Sequence, residues 1–245
     1  MNRGILLLLI VLTLLISLVF IVIALGPGLF IAGGDNLVRN GGFETGNFVD
    51  DPAEPLIIGP NCKMLCGGSS ALSDWQVFRL PVTDGQSCDS AKDAICWWQS
   101  PNAFQITAEE GQRAVDLTGF SGRPARQFGR VQQNVNTQLG ELYELSFEIG
   151  SSSTFPPPTP SRIGIFVKVV GVSNGEMLFE VPITDVSHWD RHTMRFRAGD
   201  RTTTIIFSGS NPIASGNGGD YVGLDNVSLR RVCFIVDAIL YGCAR

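Results

Sequence analysis

Residues 142–150 read LYELSFEIG, and this stretch decides the fold class. Apolar side chains occupy every odd position from Tyr143 to Ile149, and polar side chains occupy the even positions between them. Successive side chains of a strand point to opposite faces, so a two-residue period predicts a strand with one face in a core and the other face in water.

The same alternation recurs along the chain between turns rich in Gly and Pro. It is seen in RAVDLTG (113–119), RVQQNVN (130–136), IGIFVKVV (163–170), EMLFEVPI (176–183), TMRFRA (193–198), TTIIFSG (203–209) and YVGLDNVSLR (221–230). No segment after Leu25 has a helical period over the length of a helix. Many short strands at regular spacing predict an all-β domain, a jelly-roll β-sandwich.

The N-terminus is an uncharged apolar run, ILLLLIVLTLLISLVFIVIAL, from Ile5 to Leu25 with Arg3 before it. The run exceeds the roughly 7–15 residues of a signal-peptide core and reaches the roughly 20 of a membrane span. It predicts one N-terminal hydrophobic helix that anchors the protein with its C-terminal part outside. Val22-Ile23-Ala24 leaves a cleaved signal peptide as the alternative. Both interpretations assign residues 1–34 to targeting and export residues 35–245 as an extracellular domain.

The cysteines agree with export. An even number of cysteines, six, is typical of disulfides formed in an oxidising compartment. We expect a local Cys233–Cys243 bridge, whereas the pairing of Cys62, Cys66, Cys88 and Cys96 stays open. These four lie within residues 48–102, which are rich in Pro, Cys, Asp and Ser, and which we interpret as a disulfide-pinned excursion from the sandwich.

The charge disfavours nucleic acid as a partner. The formal net charge is −5, and the arginines are scattered rather than aligned with aromatic residues. Zinc is also disfavoured, because the only two histidines, His188 and His192, lie far from the cysteines in the sequence.

The last alternating segment changes parity. Val222 and Leu224 stand at even positions, but Val227 and Leu229 stand at odd ones. A strict alternation cannot bury all four, so we predict a bulge at Asp225-Asn226 that turns the Asp225 side chain sideways.

A lone carboxylate, Glu44, lies near the end of the segment NLVRNGGFETG (Asn36–Gly46), which we call the front segment. If the first and last strands are neighbours, Glu44 and Asp225 converge, and a calcium ion between them would relieve their repulsion. Backbone carbonyls beside Gly42 are candidates for the remaining oxygen ligands, since glycine permits close backbone approach. The alternatives are a surface carboxylate for Glu44 and an Asx-type turn for Asp225.

The front segment and YVGLDNVSL resemble the paired end motifs of galactose-binding-like carbohydrate-binding modules. EEGQRAVDLTG, RVQQNVNTQLGELYELSFEIG, WDRHTMRFRA and TTIIFSGS further resemble the domain-of-unknown-function 642 family, extracellular proteins of plant cell walls with bacterial relatives. The resemblance implies a galactose-binding-like jelly roll that binds cell-wall polysaccharide without cleaving it. It also implies a structural calcium held by Glu44 and Asp225. Plant members usually carry two such domains, whereas this chain has one.

Candidate ligand residues combine flat aromatic rings with amides, because a sugar ring has an apolar face and a rim of hydroxyls. We expect Trp97 and Trp98 to be exposed stacking residues, with Tyr221 as a weaker candidate. Gln132 and Asn134 supply amides on the polar side of one predicted strand.

No catalytic motif stands out. GFSGR (119–123) departs from the nucleophile elbow, and no pair of acidic residues suggests glycosidic cleavage. The sequence therefore predicts a non-catalytic, extracellular carbohydrate-binding module. The alternative is a structural or adhesive surface protein that docks other proteins through its sandwich.

Overall fold

The computed structural model describes residue 13 and residues 30–54, 56–57, 61–79, 95–100, 107–117, 129–153, 162–172, 175–182, 188–210 and 220–234. Apart from Thr13, the apolar run Ile5–Leu25 lies outside these residues, so the N-terminal helix and its cleavage stay predictions. Within the described ranges, no helix has the length and hydropathy needed to cross a membrane.

The chain divides into two compact units. One combines Met1–Asp35 with Arg231–Arg245, and the other is Asn36–Arg230. In the first unit, strand β1 (Phe30–Gly33) pairs antiparallel with the last residues of β13 (Asp220–Phe234), so that Phe30 lies opposite Phe234 and Gly33 opposite Arg231.

The second unit consists of two β-sheets. One has the order β11-β8-β13-β6-β5-β3-β2, and the other has the order β10-β9-β12-β7-β4. The strands are β2 (Leu56–Ile57), β3 (Cys62–Leu65), β4 (Gln76–Arg79), β5 (Ile95–Gln99), β6 (Arg113–Asp116), β7 (Gly129–Asn136), β8 (Leu142–Ser153), β9 (Arg162–Val169), β10 (Glu176–Pro182), β11 (His188–Arg197), β12 (Thr202–Ser210) and β13.

The apolar faces of the two sheets pack against each other. Phe147 of β8 lies with its ring centroid 5.2 Å from that of Phe207 on β12 and 5.1 Å from that of Phe179 on β10. The odd-numbered apolar residues of 142–150 are all buried, and so are Val131 and Val135 of β7. The predicted all-β sandwich is thus confirmed for the described residues, whereas its jelly-roll classification stays a prediction.

The described strands within residues 48–102 are part of the sandwich. These residues contribute β2, β3 and β5 to one sheet and β4 to the other, which corrects the prediction of an excursion. Their alternation is hidden because β3 and β5 are covered on both faces: Cys62–Leu65 and Ile95–Trp98 are buried throughout.

A disulfide joins Cys62 on β3 to Cys96 on β5 and selects one of the pairings that the sequence leaves open. Cys66 and Cys233 are also disulfide-bonded. Cys88 and Cys243 lie outside the described residues, so the expected Cys233–Cys243 bridge stays a prediction.

The predicted irregularity in β13 is confirmed. Asn226 has a φ of 48°, a left-handed conformation that breaks the alternation. Val222, Leu224, Val227 and Leu229 are consequently all buried, and Asp225 has no exposed surface.

Candidate functional site

Glu44 holds a short loop, Glu109–Arg113, that we call the bracket loop. Its Oε1 accepts hydrogen bonds from the backbone N–H groups of Gln112 (2.8 Å) and Arg113 (2.7 Å). The Arg113 side chain donates back to the carbonyl oxygen of Glu44 at 2.7 Å. Glu44 is therefore a hydrogen-bond acceptor for backbone amides, and not the free surface carboxylate of the alternative interpretation.

Asp225 holds the other end of the bracket loop. Its Oδ2 accepts from the N–H groups of Glu109 and Glu110, both at 2.9 Å, and its Oδ1 accepts from the N–H of Asn226 at 2.7 Å. Burial raises the pKa of Asp225 to about 7, although these three N–H donors act to lower it. Glu44 and Asp225 thus hold the two ends of one loop, whereas their convergence on a shared calcium ion stays a prediction.

Two glycines make this close packing possible. Gly111 has a φ of 63°, and a Cβ there would lie 2.4 Å from Glu44 Oε1. A Cβ on Gly41 would lie only 2.0 Å from the carbonyl oxygen of Val227. Any side chain at either position would displace the contact, which explains Gly41, the first glycine of the pair in the front segment, in physical terms.

The front segment is fixed to both sheets by its polar residues. Asn36 accepts from the Leu229 N–H (2.9 Å) through its Oδ1 and donates to the Val227 carbonyl oxygen (3.3 Å) through its Nδ2. The buried Gln133 amide of β7 accepts from the N–H of Arg39 and donates to its carbonyl oxygen, each at 2.8 Å.

The surroundings of the bracket loop have the donor chemistry of a calcium site, but not a complete ligand set. The carboxylates near the loop offer oxygen ligands, which calcium prefers. Glu110 lies near Gly42, since its Oε2 would be 3.2 Å from a Cβ built on that glycine. Among the described residues, however, no three His, Cys, Asp or Glu side chains are grouped closely enough to hold a metal ion. Backbone carbonyls would therefore have to supply most of the coordination around Glu44, Asp225 and Gly42.

The structure corrects the expectation of an exposed Trp97-Trp98 pair. Trp97 is 0% exposed, lies in the core between the sheets, and donates from Nε1 to the Phe43 carbonyl oxygen at 2.8 Å. Trp98 is 1% exposed and points to the opposite side of β5, where it packs with the Cys62–Cys96 disulfide and Met64. Neither ring presents a face to a sugar, because both faces of β5 are covered.

The other three candidate ligand residues fare differently. Tyr221 lies in β13, but its side chain is outside the described part of the structure. Gln132 and Asn134 lie on the outer side of β7, the side that faces away from the core, as the alternation predicts. Their amides are within reach of neighbouring polar groups: Gln132 Nε2 donates to Gln76 Oε1 at 2.9 Å, and Asn134 Oδ1 accepts from Thr204 Oγ1 at 2.7 Å.

Gln132 and Asn134 belong to the outer surface of the five-stranded sheet, which carries both polar and apolar side chains. We call this surface the five-stranded face. In one row Gln76, Gln132, Ile206, Lys168 and Glu176 are neighbours across the sheet, and in the next row Phe78, Arg130, Ser208, Phe166 and Leu178 are neighbours. Ile206 is only 8% exposed, whereas Phe166 is 40% exposed. The face thus combines a recessed apolar centre with amides, hydroxyls and an accessible aromatic ring.

Arg130 is the residue of this face that sequence reasoning missed. Its Cζ lies 4.7 Å from the centroid of the Phe78 ring, and its Nη2 donates to Gln132 Oε1 at 2.6 Å. The scattered arginines of the sequence suggest only solvated charges. The sequence does hold one clue: Arg130, Gln132 and Asn134 are alternate residues of β7 and therefore point to the same side of the sheet.

Comparisons with known proteins show weak similarity to several β-domains. No family model matches the chain, and no curated protein matches it. Among solved structures, TmCBM61 in complex with beta-1,4-galactotriose has 18% identity and a TM-score of 0.46, over 81% of this chain and 99% of that chain. A putative sugar binding protein from Bacteroides thetaiotaomicron has 12% identity and a TM-score of 0.45, over 80% and 100%.

A third solved structure is the enzymatically active domain of bacteriophage CBA120 tailspike protein 4. It has 11% identity and a TM-score of 0.42, over 80% of this chain and 21% of that chain. At these identities and superposition scores, none of the similarities assigns a family or a function to the chain.

Proposed function

We propose that this protein binds polysaccharide outside the cell, without cleaving it, through the five-stranded face. The observation that carries the proposal is the register of Gln76, Gln132, Asn134 and Thr204, whose polar groups lie on one outer surface of three neighbouring strands. A sugar chain offers closely spaced hydroxyls that both donate and accept, and amide and hydroxyl side chains match them in both directions.

An aromatic ring and a recessed apolar strip complete the face. Phe166 and Ile206 offer apolar surface beside the amides, and the C–H face of a sugar ring packs on surface of this kind. This combination takes the place of the tryptophan pair that the sequence suggests. The Cys62–Cys96 disulfide supports an extracellular location, since such bonds persist in oxidising compartments.

Calcium is part of the proposal as a structural ion at the bracket loop. Glu44 and Asp225 would hold it, with backbone carbonyls near Gly42 supplying further oxygens. When bound, the ion supplies positive charge that favours the ionised form of Asp225. The chain's own residues already position the loop by backbone hydrogen bonds.

Retention of the full-length protein, in detergent micelles, on a panel of immobilised polysaccharides tests the proposed function. We expect saturable retention on at least one polymer and no release of reducing ends during incubation. If the protein is retained on none of the polysaccharides and instead binds a protein partner through the five-stranded face, the result would favour the alternative of a docking protein. Release of reducing ends would contradict the non-catalytic assignment.

A further inference from the structure

Among the residues that the structure describes, no carboxylate pairs with Arg130. The ion pairs of the described residues are Arg39–Asp74, Lys168–Glu176, His188–Asp190 and Arg195–Glu144, and none of them includes Arg130. On the five-stranded face, Lys168 is thus paired with Glu176 at 3.1 Å, while Arg130 has no ion pair with any described carboxylate.

The guanidinium is nevertheless held in one orientation. It lies over the Phe78 ring and donates from Nη2 to Gln132, whose amide is fixed in turn by Gln76. Its Nε is buried and has no acceptor among the described residues. Burial lowers the pKa of Arg130, which means that the surroundings take water from the charge without supplying a counter-charge.

The described carboxylates of this face are remote from Arg130. Glu176 and Glu180 stand on β10, three strands away from β7 in the sheet order. At about 4.8 Å per strand, this places them about 14 Å from β7. These two described carboxylates therefore do not reach the guanidinium.

We propose that Arg130 receives a carboxylate of the bound polysaccharide, so that the ligand is an acidic polymer containing uronic acid residues. This inference rests on the proposed function of the five-stranded face. An arginine fork matches the planar carboxylate with two parallel hydrogen bonds. A partly desolvated and pre-oriented guanidinium makes that pairing stronger than it would be on an open surface, because less water has to be displaced.

Binding measurements on matched polymers test the inference. The full-length protein is titrated, at low salt, with polygalacturonate, alginate and glucuronoxylan, each alongside its carboxyl-reduced form, and with dextran sulfate. We expect at least one acidic polymer to bind about tenfold more tightly than its reduced form, the effect of one charge-assisted pair. In the Arg130→Gln variant, the affinities for the acidic polymer and for its reduced form should differ by no more than about twofold.

Arg197→Gln is the matched control. It removes one positive charge from an exposed arginine of the other sheet, so the preference for the acidic form should persist. Arg130→Lys keeps the charge but not the fork, and should recover only part of the preference. The melting temperature of each variant reports whether it is folded.

The outcomes separate this inference from the proposed function. Equal binding of acidic and reduced polymers, or an undiminished preference in Arg130→Gln, would overturn the role of Arg130 and leave polysaccharide binding in place. Arg130-dependent binding of dextran sulfate without any binding of uronates would overturn the carboxylate assignment. Binding of no polymer would overturn both proposals.

Discussion

Glu44 and Asp225 bind the backbone of the same loop, Glu44 at Gln112 and Arg113 and Asp225 at Glu109 and Glu110. The front segment and the last strand are thereby joined through a third segment. Because the two carboxylates accept from backbone N–H groups, the side chains of Glu109, Glu110 and Gln112 take no part in these four contacts, whereas Gly111 has to stay without a side chain.

Replacing Asp225 with Ala should lower the free energy of unfolding. The N–H groups of Glu109, Glu110 and Asn226 lose their acceptor, and each unsatisfied donor costs about 1–3 kcal/mol, partly offset because a buried carboxylate is removed. We expect a net loss of about 2–4 kcal/mol in urea unfolding of the full-length protein. Asp200→Ala removes an exposed carboxylate whose described hydrogen bond is to the N–H of Arg201, and should change stability by less than about 0.5 kcal/mol. Equal losses in the two variants would contradict the role of Asp225.

Calcium should raise the melting temperature if the bracket loop binds it. At a concentration about 100 times Kd, an ion that binds only the folded state adds about 2.7 kcal/mol, or about 5–10 °C for a domain of this size. A chelator should remove the increase, and Glu44→Gln should abolish the response. Asp200→Asn should respond as the wild type does. A wild-type protein that is insensitive to both calcium and chelator would refute the calcium proposal alone.

Trp97 should stabilise the core, whereas Phe166 should serve as the aromatic residue that contacts the ligand. Trp97→Ala removes a fully buried ring together with its hydrogen bond to Phe43, and should cost about 3–5 kcal/mol of stability. Phe166→Ala removes a 40% exposed ring and should cost less than about 1 kcal/mol, yet weaken polysaccharide binding. Calorimetric melting and a binding titration measure the two effects. A stable Trp97→Ala variant that fails to bind would restore the tryptophan as a ligand residue.

His192 should make the protein sensitive to acid. Its ring packs against Phe147 and Phe179, at centroid distances of 5.9 Å and 5.3 Å, and burial lowers its pKa from the ordinary 6.5 although Asp190 acts to raise it. The unfolded chain therefore binds this proton more readily than the folded one does. The resulting stability is present above pH 6.5 and is lost as the pH falls through the folded-state pKa.

Urea unfolding at pH 7.5 and pH 5.0 measures this loss. His192→Phe should lose less stability on acidification than the wild type, whereas His188→Gln, an exposed histidine on the same strand, should lose as much. Burial raises the pKa of Glu148 and raises that of Asp225 to about 7, so these two groups act in the opposite direction, but both are present in all three proteins and cancel in the comparison. Identical acid sensitivity of wild type and His192→Phe would contradict the assignment.

Local periodicity predicts what depends on one strand at a time. The alternation of 142–150 places Phe147 in the core, and the parity change predicts an irregularity at Asp225-Asn226, where the structure has the left-handed Asn226. These inferences succeed because burial of one sheet face forces a two-residue period.

Features that depend on several segments are not visible in the sequence. Trp97 and Trp98 resemble an exposed pair until it is known that both faces of β5 are covered. The bracket loop contains no unusual residues except Gly111, and its importance comes from two carboxylates that are distant in the chain. Arg130 similarly becomes distinctive only when the register shows which carboxylates are out of its reach.

Calorimetric titration of the full-length protein with the polysaccharide it retains best is the most direct test of the five-stranded face. We expect Gln132→Ala with Asn134→Ala to weaken binding by at least about tenfold, since each lost hydrogen bond is worth about 1 kcal/mol, with little change in melting temperature. Thr193→Ala, at an exposed position of β11 in the other sheet, should bind as the wild type does. Unchanged affinity in the double variant would contradict the account.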